Sequence, residues 1–256
     1  MEKISTHSEQ YCFEDFTHDA YRSLLQLTKD AGYEFISFRD CENKGGPWVL
    51  WRHDLDFSPH RALKLARIEH EMGVKSTFFL LPHSRFYNLF EKENFDIIRE
   101  FENLGHDIAL HFDFAFYDVT DQRTFEENLI SEKNFLERTF HRKIEAFSFH
   151  NPNKWALNYG QHNVAGMINA YSTFFVNNVA YASDSNGYWR NESIAQRLEE
   201  SHHRVQILTH PVWWTEKLTS PKERVWSAIE GRSSSNKKKQ LEHWEKWGRE
   251  LPDWNG

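Results

Sequence analysis

The sequence predicts an α/β protein whose parallel strands form a distorted or incomplete barrel, and two observations favour this fold. Short apolar runs alternate with amphipathic helical segments through most of the 256 residues, and no repeat or linker interrupts the alternation. The length suits a single barrel-like domain. We therefore expect one domain over residues 1–256, with an irregular arm at about 1–16 and a helical tail at about 217–256.

The predicted elements follow from two periodicities. Continuous apolar runs indicate buried strands, and apolar residues three and four apart indicate helices, several of which end at a glycine. Strands are predicted at 33–38, 48–51, 76–81, 107–111, 144–149, 171–176, 179–182 and 204–209. Helices are predicted at 17–31, 59–72, 94–104, 120–139, 192–201 and 221–250. Residues 155–167 fit neither pattern.

Composition and charge narrow the class of protein. Only 39% of residues are hydrophobic, but 16% are aromatic, which supplies enough large side chains for a folded core. The net charge of −7 argues against nucleic-acid binding, and we expect the basic run at 237–239 to be a solvated helix face. Two cysteines make no disulfide framework or zinc knuckle. With no signal-peptide region and no transmembrane segment, we expect a cytoplasmic protein.

Polar side chains follow four of the predicted strands. The carboxyl ends of parallel strands lie on one edge of a sheet, where α/β proteins bind ligands. A lone histidine there is most often a hydrogen-bonded structural group, but four polar strand ends together indicate a site. The residues are Asp54 and Asp56 after the second strand, His111 and Asp113 after the fourth, His150 after the fifth and His210 after the last.

The spacing of Asp54 and Asp56 carries the first chemical clue. Residues two apart on a strand point to the same side, and two carboxylates on one side either bind a metal or have separated pKa values. The competing interpretation is a charged strand end that caps the helix starting at Ser58 and Pro59. Aspartate and histidine ligands together suit zinc or another first-row divalent metal.

In this order the residues resemble the NodB-homology polysaccharide deacetylases, carbohydrate esterase family 4. The resemblance covers roughly residues 48–212. Its parts are Asp54-Leu-Asp56, the strand Thr77-Phe-Phe79, Gly105-His-Asp-Ile-Ala109 before His111, Phe149-His-Asn-Pro152, Asp184 to Trp189, and Leu208-Thr-His210. It implies the barrel of that family, a divalent metal cofactor, most naturally zinc, and a hydrolase acting on amides. It also implies that Asp54 is the base and His210 the acid, and that Asp56 and His111 bind the metal.

One departure from the family concerns the metal. The family's second metal histidine stands four residues after the first, and that position is Ala115 here. Either Asp113 or His150 could supply the missing ligand, and we favour His150. We further expect Arg52, Asp113, Asp184 and Trp189 to bind substrate. Arg52 could alternatively orient Asp54, and Asp184 could orient His210.

The resemblance implies a metal-dependent hydrolase that removes an N-acyl group, such as acetyl, from an amino sugar or glycan precursor. The expected setting is bacterial surface-polysaccharide synthesis. The alternative is a catalytically inactive carbohydrate-binding barrel that assists a glycosyltransferase. A weaker alternative is a metal-dependent hydrolase of a non-sugar amide. The expected partner is the amino-sugar or glycan substrate, and the sequence carries no signal for an oligomeric state.

Overall fold

A computed structural model describes residues 16–189, 193–200, 202–249 and 252, which form one curled sheet with flanking helices. The helices are α1 (His18–Asp30), α2 (Pro59–Glu71), α3 (Lys92–Asn103), α4 (Phe114–Tyr117), α5 (Gln122–Phe140), α6 (Lys154–Asn158), α7 (Thr173–Asn178), α8 (Ile194–Glu199) and α9 (Pro221–Lys246). The strands are β1 (Glu34–Phe35), β2 (Trp48–Leu55), β3 (Thr77–Leu80), β4 (Asp107–Asp113), β5 (Ala146–His150), β6 (Asn163–Val164), β7 (Met167–Asn169), β8 (Ala180–Ser183) and β9 (Arg204–Thr209). Apart from Phe16, the predicted N-terminal arm lies outside the described residues.

The sheet has the order β6-β7-β5-β4-β3-β2-β9-β8, and β1 pairs with the start of β2. Every pair is parallel except the antiparallel β6–β7 pair. Among the described strands, β6 and β8 at the two ends do not pair with each other, so the barrel stays open. The predicted fold class, an incomplete parallel barrel, is confirmed. The carboxyl ends of β2, β4, β5 and β9 therefore share one edge.

Strand β2 is longer than the sequence indicated, and this changes where its charges lie. The apolar run was expected to end at Trp51, whereas the strand continues to Leu55 and all eight of its residues are buried. Pairing with β3 and β9 extends β2, because Arg52 and His53 are in register with both neighbours. Arg52, His53 and Asp54 are thus residues inside the strand. Ser58 caps the helix that follows, since its Oγ accepts the Arg61 N–H at 3.3 Å, so the strand-end aspartates are not needed as caps.

The alternation of β2 side chains separates the two faces of the sheet. Trp48 and Leu50 belong to the apolar cluster that fills one face, together with Phe79 of β3. Arg52 and Asp54 follow them at the same period of two, so a packed apolar layer lies beneath the charged residues at the open edge. The other face carries Val49 and Trp51, which pack with α1, α8 and Trp214.

A buried polar network occupies that outer face of β2. His53 is fully buried, with Nε2 at 2.7 Å from Glu69 Oε1 and Nδ1 at 2.7 Å from Thr209 Oγ1. Tyr21 donates to the same Glu69 carboxylate, and Ser76 Oγ donates to its other oxygen at 2.6 Å. Every polar group in this network is paired, so burying it costs little free energy of folding. The network links α1, α2, β2 and the start of β3. His53 therefore faces away from Asp54.

The remaining elements contain one wrong assignment and one resolved ambiguity. Residues 171–176 were predicted as a strand, whereas 173–178 form helix α7 with Phe175 buried. The apolar residues there are aromatic, and their packing against the sheet decides the conformation over β propensity. The ambiguous stretch forms α6 and the short β6–β7 hairpin. Helix α9 matches the predicted tail, and none of the described helices is long and apolar enough to cross a membrane.

Candidate metal centre and catalytic cleft

Three side chains from three parallel strands converge at the open edge of the sheet. Asp56 Oδ1 lies 3.2 Å from His111 Nε2 and 3.3 Å from His150 Nδ1. The two imidazole nitrogens are themselves 3.3 Å apart. Asp56 follows β2, His111 is within β4, and His150 ends β5 opposite Asp113 in the register. We call these three residues the triad. The structure thus brings together the residues that the sequence favoured as ligands.

The spacing within the triad fits a tetrahedral zinc ion. Zinc bonds of about 2.0–2.1 Å place neighbouring ligand atoms about 3.3 Å apart in a tetrahedral arrangement. The three separations in the triad equal that edge within 0.1 Å. Asp56 Oδ1 is also buried without an aligned hydrogen bond among the described residues. The residues present therefore fit a divalent metal that accepts both oxygen and imidazole nitrogen ligands, such as zinc.

The ionisation of the triad also suits a cation. Burial works to raise the pKa of Asp56, but the His111 and His150 imidazoles lower it far below its usual range. Burial lowers the pKa of His150, and the Asp56 carboxylate outweighs this, so the net pKa is raised. Without a metal, the Asp56 carboxylate makes His150 hold a proton more tightly than an ordinary imidazole does. Metal binding would displace that proton, because a ligating imidazole is neutral.

A short hydrogen-bonded chain links the triad to Asp54. His111 Nδ1 lies 2.7 Å from Ser148 Oγ, which donates to Asp54 Oδ1 at 3.3 Å. With Nδ1–H donated to Ser148, the lone pair of His111 Nε2 points into the triad. On the other side of the triad, Asn151 Nδ2 donates to His150 Nε2 at 2.9 Å and holds that ring in place.

Arg52 holds the other side of Asp54. Its Nη2 lies 3.7 Å from Asp54 Oδ2 and 3.3 Å from Tyr171 OH, and the guanidinium is fully buried between the rings of Phe79 and Tyr171. Burial works to lower the pKa of Arg52, but the Asp54 charge more than offsets it and raises the pKa. Arg52 is therefore charged, and it keeps the Asp54 carboxylate in place. Because it is completely buried, its predicted contact with substrate is corrected to a positioning role.

A carboxylate–histidine pair lies at the ends of β8 and β9. His210 Nδ1 is 2.6 Å from Asp184 Oδ1, and the His210 backbone N–H donates to the same carboxylate. Trp214 Nε1 donates to Asp184 Oδ2 at 2.8 Å. Burial lowers the pKa of His210, but the Asp184 charge and hydrogen bond outweigh it and raise the pKa to about 9. His210 is thus an imidazolium whose ring is fixed by a fully buried carboxylate.

Both groups open into one cavity of about 520 Å³, a size that accommodates a small ligand. Phe57, Phe86 and Trp213 contribute aromatic surface to its wall, beside polar groups from the strand ends. The predicted site residues on the wall are Asp54, Asp56, His111, Asp113, His150 and His210. These include both proposed catalytic residues and the whole triad.

Besides Arg52, two of the predicted substrate-binding residues, Asp184 and Trp189, do not line the cavity. Trp189 is 7% exposed and packs against Phe16 and Trp214 in the core, so its assignment to substrate binding is corrected. A tryptophan in this aromatic-rich chain has enough apolar partners to be buried. Asp184 is fully buried behind His210, and only the orienting role fits it. Asp113 lies on the wall and caps α4, accepting the Ala115 N–H at 2.9 Å.

The position of the family's second histidine is outside the triad. Ala115 is exposed in the short helix α4, which begins immediately after β4. The chain therefore leaves the strand direction before residue 115 is reached. His150 stands in the triad instead.

Sequence reasoning missed three residues that shape the cleft. Ser148 orients His111 and Asp54 at once, and its place two residues before His150 on β5 was the available signal, since residues two apart share a face. His83 lies on the cavity wall beside the buried Glu132, 2.6 Å away. No sequence pattern connects these last two, because they are 49 positions apart.

No family model matches the sequence, and no curated protein matches it. Solved structures do. A family 4 carbohydrate esterase from Bacillus anthracis shares 13% identity over 89% of this chain and 87% of its own, with a TM-score of 0.43. A deacetylase from Streptococcus pyogenes in complex with acetate shares 13% identity over 89% of this chain and 93% of its own, with a TM-score of 0.45. The first of these structures is a family 4 carbohydrate esterase, which is the family that the sequence motifs resemble.

A third similar structure is a carbohydrate esterase family 4 pseudoenzyme from Bacillus anthracis. It shares 14% identity over 73% of this chain, with a TM-score of 0.40. This chain spans 60% of the length of that one, less than two thirds.

Proposed function

We propose that this protein is a metal-dependent hydrolase that removes an N-acyl group, such as acetyl, from an amino sugar. The observation that carries the proposal is the combination, on one cavity wall, of a metal-type triad with two separate proton-transfer groups. A binding protein needs no charged histidine fixed by a buried carboxylate beside a metal site. Metal-dependent hydrolysis of an amide uses a metal to activate water and an acid to protonate the leaving amine.

The triad residues Asp56, His111 and His150 would hold the ion. When bound, a divalent metal lowers the pKa of water and polarises the amide carbonyl. Asp54 has no place in the triad and faces the cavity, so it is free to accept the proton of the attacking water. Arg52 and Ser148 keep its carboxylate oriented for that task.

His210 supplies the second proton transfer. The departing amine is a poor leaving group until its nitrogen is protonated, and His210 is charged in the neutral range because its pKa is raised to about 9. Nδ1 is occupied by Asp184, so Nε2 is the nitrogen that donates. Base and acid are thus different residues on neighbouring strands, β2 and β9.

The amino-sugar assignment rests on the wall of the cavity. Sugar rings bind through stacking of their apolar faces on aromatic rings and through hydrogen bonds from their hydroxyl groups. Phe57 stacks on Phe86 with ring centroids 4.3 Å apart, and the ring centroid of Trp213 lies 6.4 Å from that of Phe57. These rings form an apolar strip beside the polar strand ends, which suits a molecule with one apolar and several polar surfaces.

The test is release of acetate from N-acetylated sugars by the zinc-loaded protein, with Asp54→Asn beside the parent. Asparagine keeps the shape of the side chain and removes its basicity, so we expect kcat to fall by about 10²–10⁴-fold. Full activity of Asp54→Asn contradicts the assignment of the base. Carbohydrate binding without any hydrolysis supports the inactive-barrel alternative, and hydrolysis of only non-sugar amides supports the third.

A further inference from the structure

The loop between β3 and α3 contributes a part of the cavity wall that the proposed reaction does not use. His83 and Arg85 both line the cavity from this loop. Residues 82–90 contain no aspartate or glutamate, although the whole chain carries a net charge of −7. This part of the loop is therefore a locally basic stretch at the edge of an otherwise acidic site, and Glu91 at the end of the loop is paired with Arg232.

His83 is held by a buried carboxylate from helix α5. The side chain of Glu132 is 4% exposed, and its Oε1 lies 2.6 Å from His83 Nε2. Neither Glu132 oxygen has an aligned hydrogen-bond donor within the described part of the chain. A buried carboxyl group without a donor is costly, so the His83 ring is its natural hydrogen-bond partner. Burial raises the pKa of Glu132, and the nearby His83 and Tyr117 side chains work against that rise.

The orientation of the His83 ring is fixed on several sides. Phe116 stacks on it at 3.5 Å between centroids, with an interplanar angle of 12°. Nε2 faces Glu132 and is 3.1 Å from Tyr117 OH. Nδ1 has no partner among the described residues. Nε2 of His83 is therefore committed to the protein, and Nδ1 is the ring nitrogen that is available to a ligand.

Arg85 adds a free cation two residues later. Its side chain is exposed and forms no ion pair with any described residue. The carboxylates on the same cavity wall are already engaged, because Asp54 faces Arg52, Asp56 belongs to the triad, and Asp113 caps α4. An arginine fork and an imidazolium N–H are the donors that proteins use for phosphate and carboxylate groups.

We propose that His83 and Arg85 form an anion subsite that binds a phosphate or carboxylate substituent of the amino sugar. Glu132 acts through His83, as a positioning residue. This inference rests on the proposed function for the identity of the sugar, but the subsite itself does not depend on catalysis. It makes the preferred substrate an acidic amino sugar.

The kinetic experiment compares N-acetylglucosamine with its 1-phosphate, its 6-phosphate and its uronic acid on the zinc-loaded protein. Replacing a charged hydrogen-bond donor is expected to weaken binding by about tenfold or more. In Arg85→Gln and His83→Gln we expect KM for the preferred anionic sugar to rise by at least about tenfold, with kcat changed less than about threefold. KM for the neutral sugar stays constant. The phosphate and uronate arms show which anion the subsite takes.

The matched control is Arg138→Gln, an exposed arginine on α5 outside the cavity, which should behave as the parent. Glu132→Gln should raise KM for the anionic sugar and leave KM for the neutral sugar unchanged. A merely structural role of Glu132 would impair both substrates alike. The subsite is refuted if the parent prefers no anionic sugar, or if Arg85→Gln matches Arg138→Gln on all substrates.

A binding experiment separates this inference from the proposed function. Inorganic phosphate and acetate are titrated calorimetrically into metal-free protein, so that a metal does not capture them. We expect binding of at least one anion in the parent and Arg138→Gln, and a loss of about tenfold in affinity in Arg85→Gln. If this occurs but no sugar is hydrolysed, the proposed function fails and the subsite stands. If sugars are hydrolysed but neither anion binds, the subsite fails and the proposed function stands.

Discussion

The two carboxylate–histidine groups that face the cavity are built from the same residue types but differ in their donors. In the triad, Asp56 Oδ1 lies near two imidazole nitrogens with no aligned hydrogen bond among the described residues. In the pair at β8 and β9, Asp184 accepts from the backbone N–H and Nδ1 of His210 and from Trp214 Nε1. The Asp56 carboxylate therefore has an oxygen that accepts no aligned hydrogen bond and faces two imidazole nitrogens. The Asp184 carboxylate accepts hydrogen bonds at both of its oxygens.

This difference teaches how one cavity can separate metal binding from acid catalysis. A carboxylate saturated with N–H donors has no lone pair left for a metal, so it can only orient and charge its histidine. A carboxylate that meets two imidazoles at about 3.3 Å is arranged for a shared cation instead. Substitutions in the triad should therefore change metal content, and substitutions in the Asp184–His210 pair should change proton transfer.

The largest effect is expected from Asp56→Ala. Loss of a direct ligand should weaken zinc binding by more than the 10–100-fold typical of outer-shell changes, and hydrolysis should fall to background. Equilibrium dialysis with zinc and the acetate-release assay measure the two quantities. Asp113→Ala, which removes a carboxylate from the same wall, is the control and should keep its zinc. If Asp113→Ala lost zinc and Asp56→Ala kept it, the metal ligand would be Asp113 and not Asp56.

The second prediction concerns His210→Asn. Removal of the acid should lower kcat by about 10²–10⁴-fold while the zinc content stays at that of the parent. The control is His141→Asn, an exposed histidine at the end of α5 with a φ of 55°, a backbone conformation that asparagine tolerates. If His210→Asn also lost zinc, metal binding and acid catalysis would not be separate functions of the two groups.

The third prediction uses pH to examine the Asp184–His210 pair. The imidazolium is fully populated below the His210 pKa of about 9 and is lost as the pH rises through it, so activity should decline above about pH 9. In Asp184→Asn the main cause of the raised pKa is removed, and this alkaline decline should move to lower pH. An unchanged pH–kcat profile would show that another group donates the proton.

The smallest effect is expected from Ala115→His, which restores the family's second histidine. Ala115 is exposed in α4 and outside the triad, so zinc affinity should change by less than about threefold. By contrast, His150→Ala should weaken zinc binding by about 100-fold or more. If Ala115→His strengthens binding and His150→Ala does not weaken it, the metal lies nearer α4 than the triad indicates.

The site could be predicted from sequence as far as strand ends determine it. Parallel strands carry their last residues to one edge whatever the loops do, which is why Asp56, His111 and His150 could be grouped without coordinates. The same rule placed His210 beside them. Such reasoning does not specify burial, so it assigned Trp189 to the cavity although it packs in the core.

The residues that sequence reasoning missed depend on packing between distant elements. Ser148 gains its role from register with His111 across β4 and β5, and Glu132 meets His83 only because α5 packs beside the β3–α3 loop. The extent of β2 was underestimated for a related reason. Arg52 and Asp54 pair with each other inside the barrel, so charged residues remain within a buried strand.

The most direct test of the central claim is anomalous diffraction at the zinc absorption edge from crystals of the zinc-loaded parent. The account predicts one strong peak within bonding distance of Asp56 Oδ1, His111 Nε2 and His150 Nδ1. Absence of a peak at the triad would contradict it. A peak bound through Asp113 in place of His150 would contradict it as well.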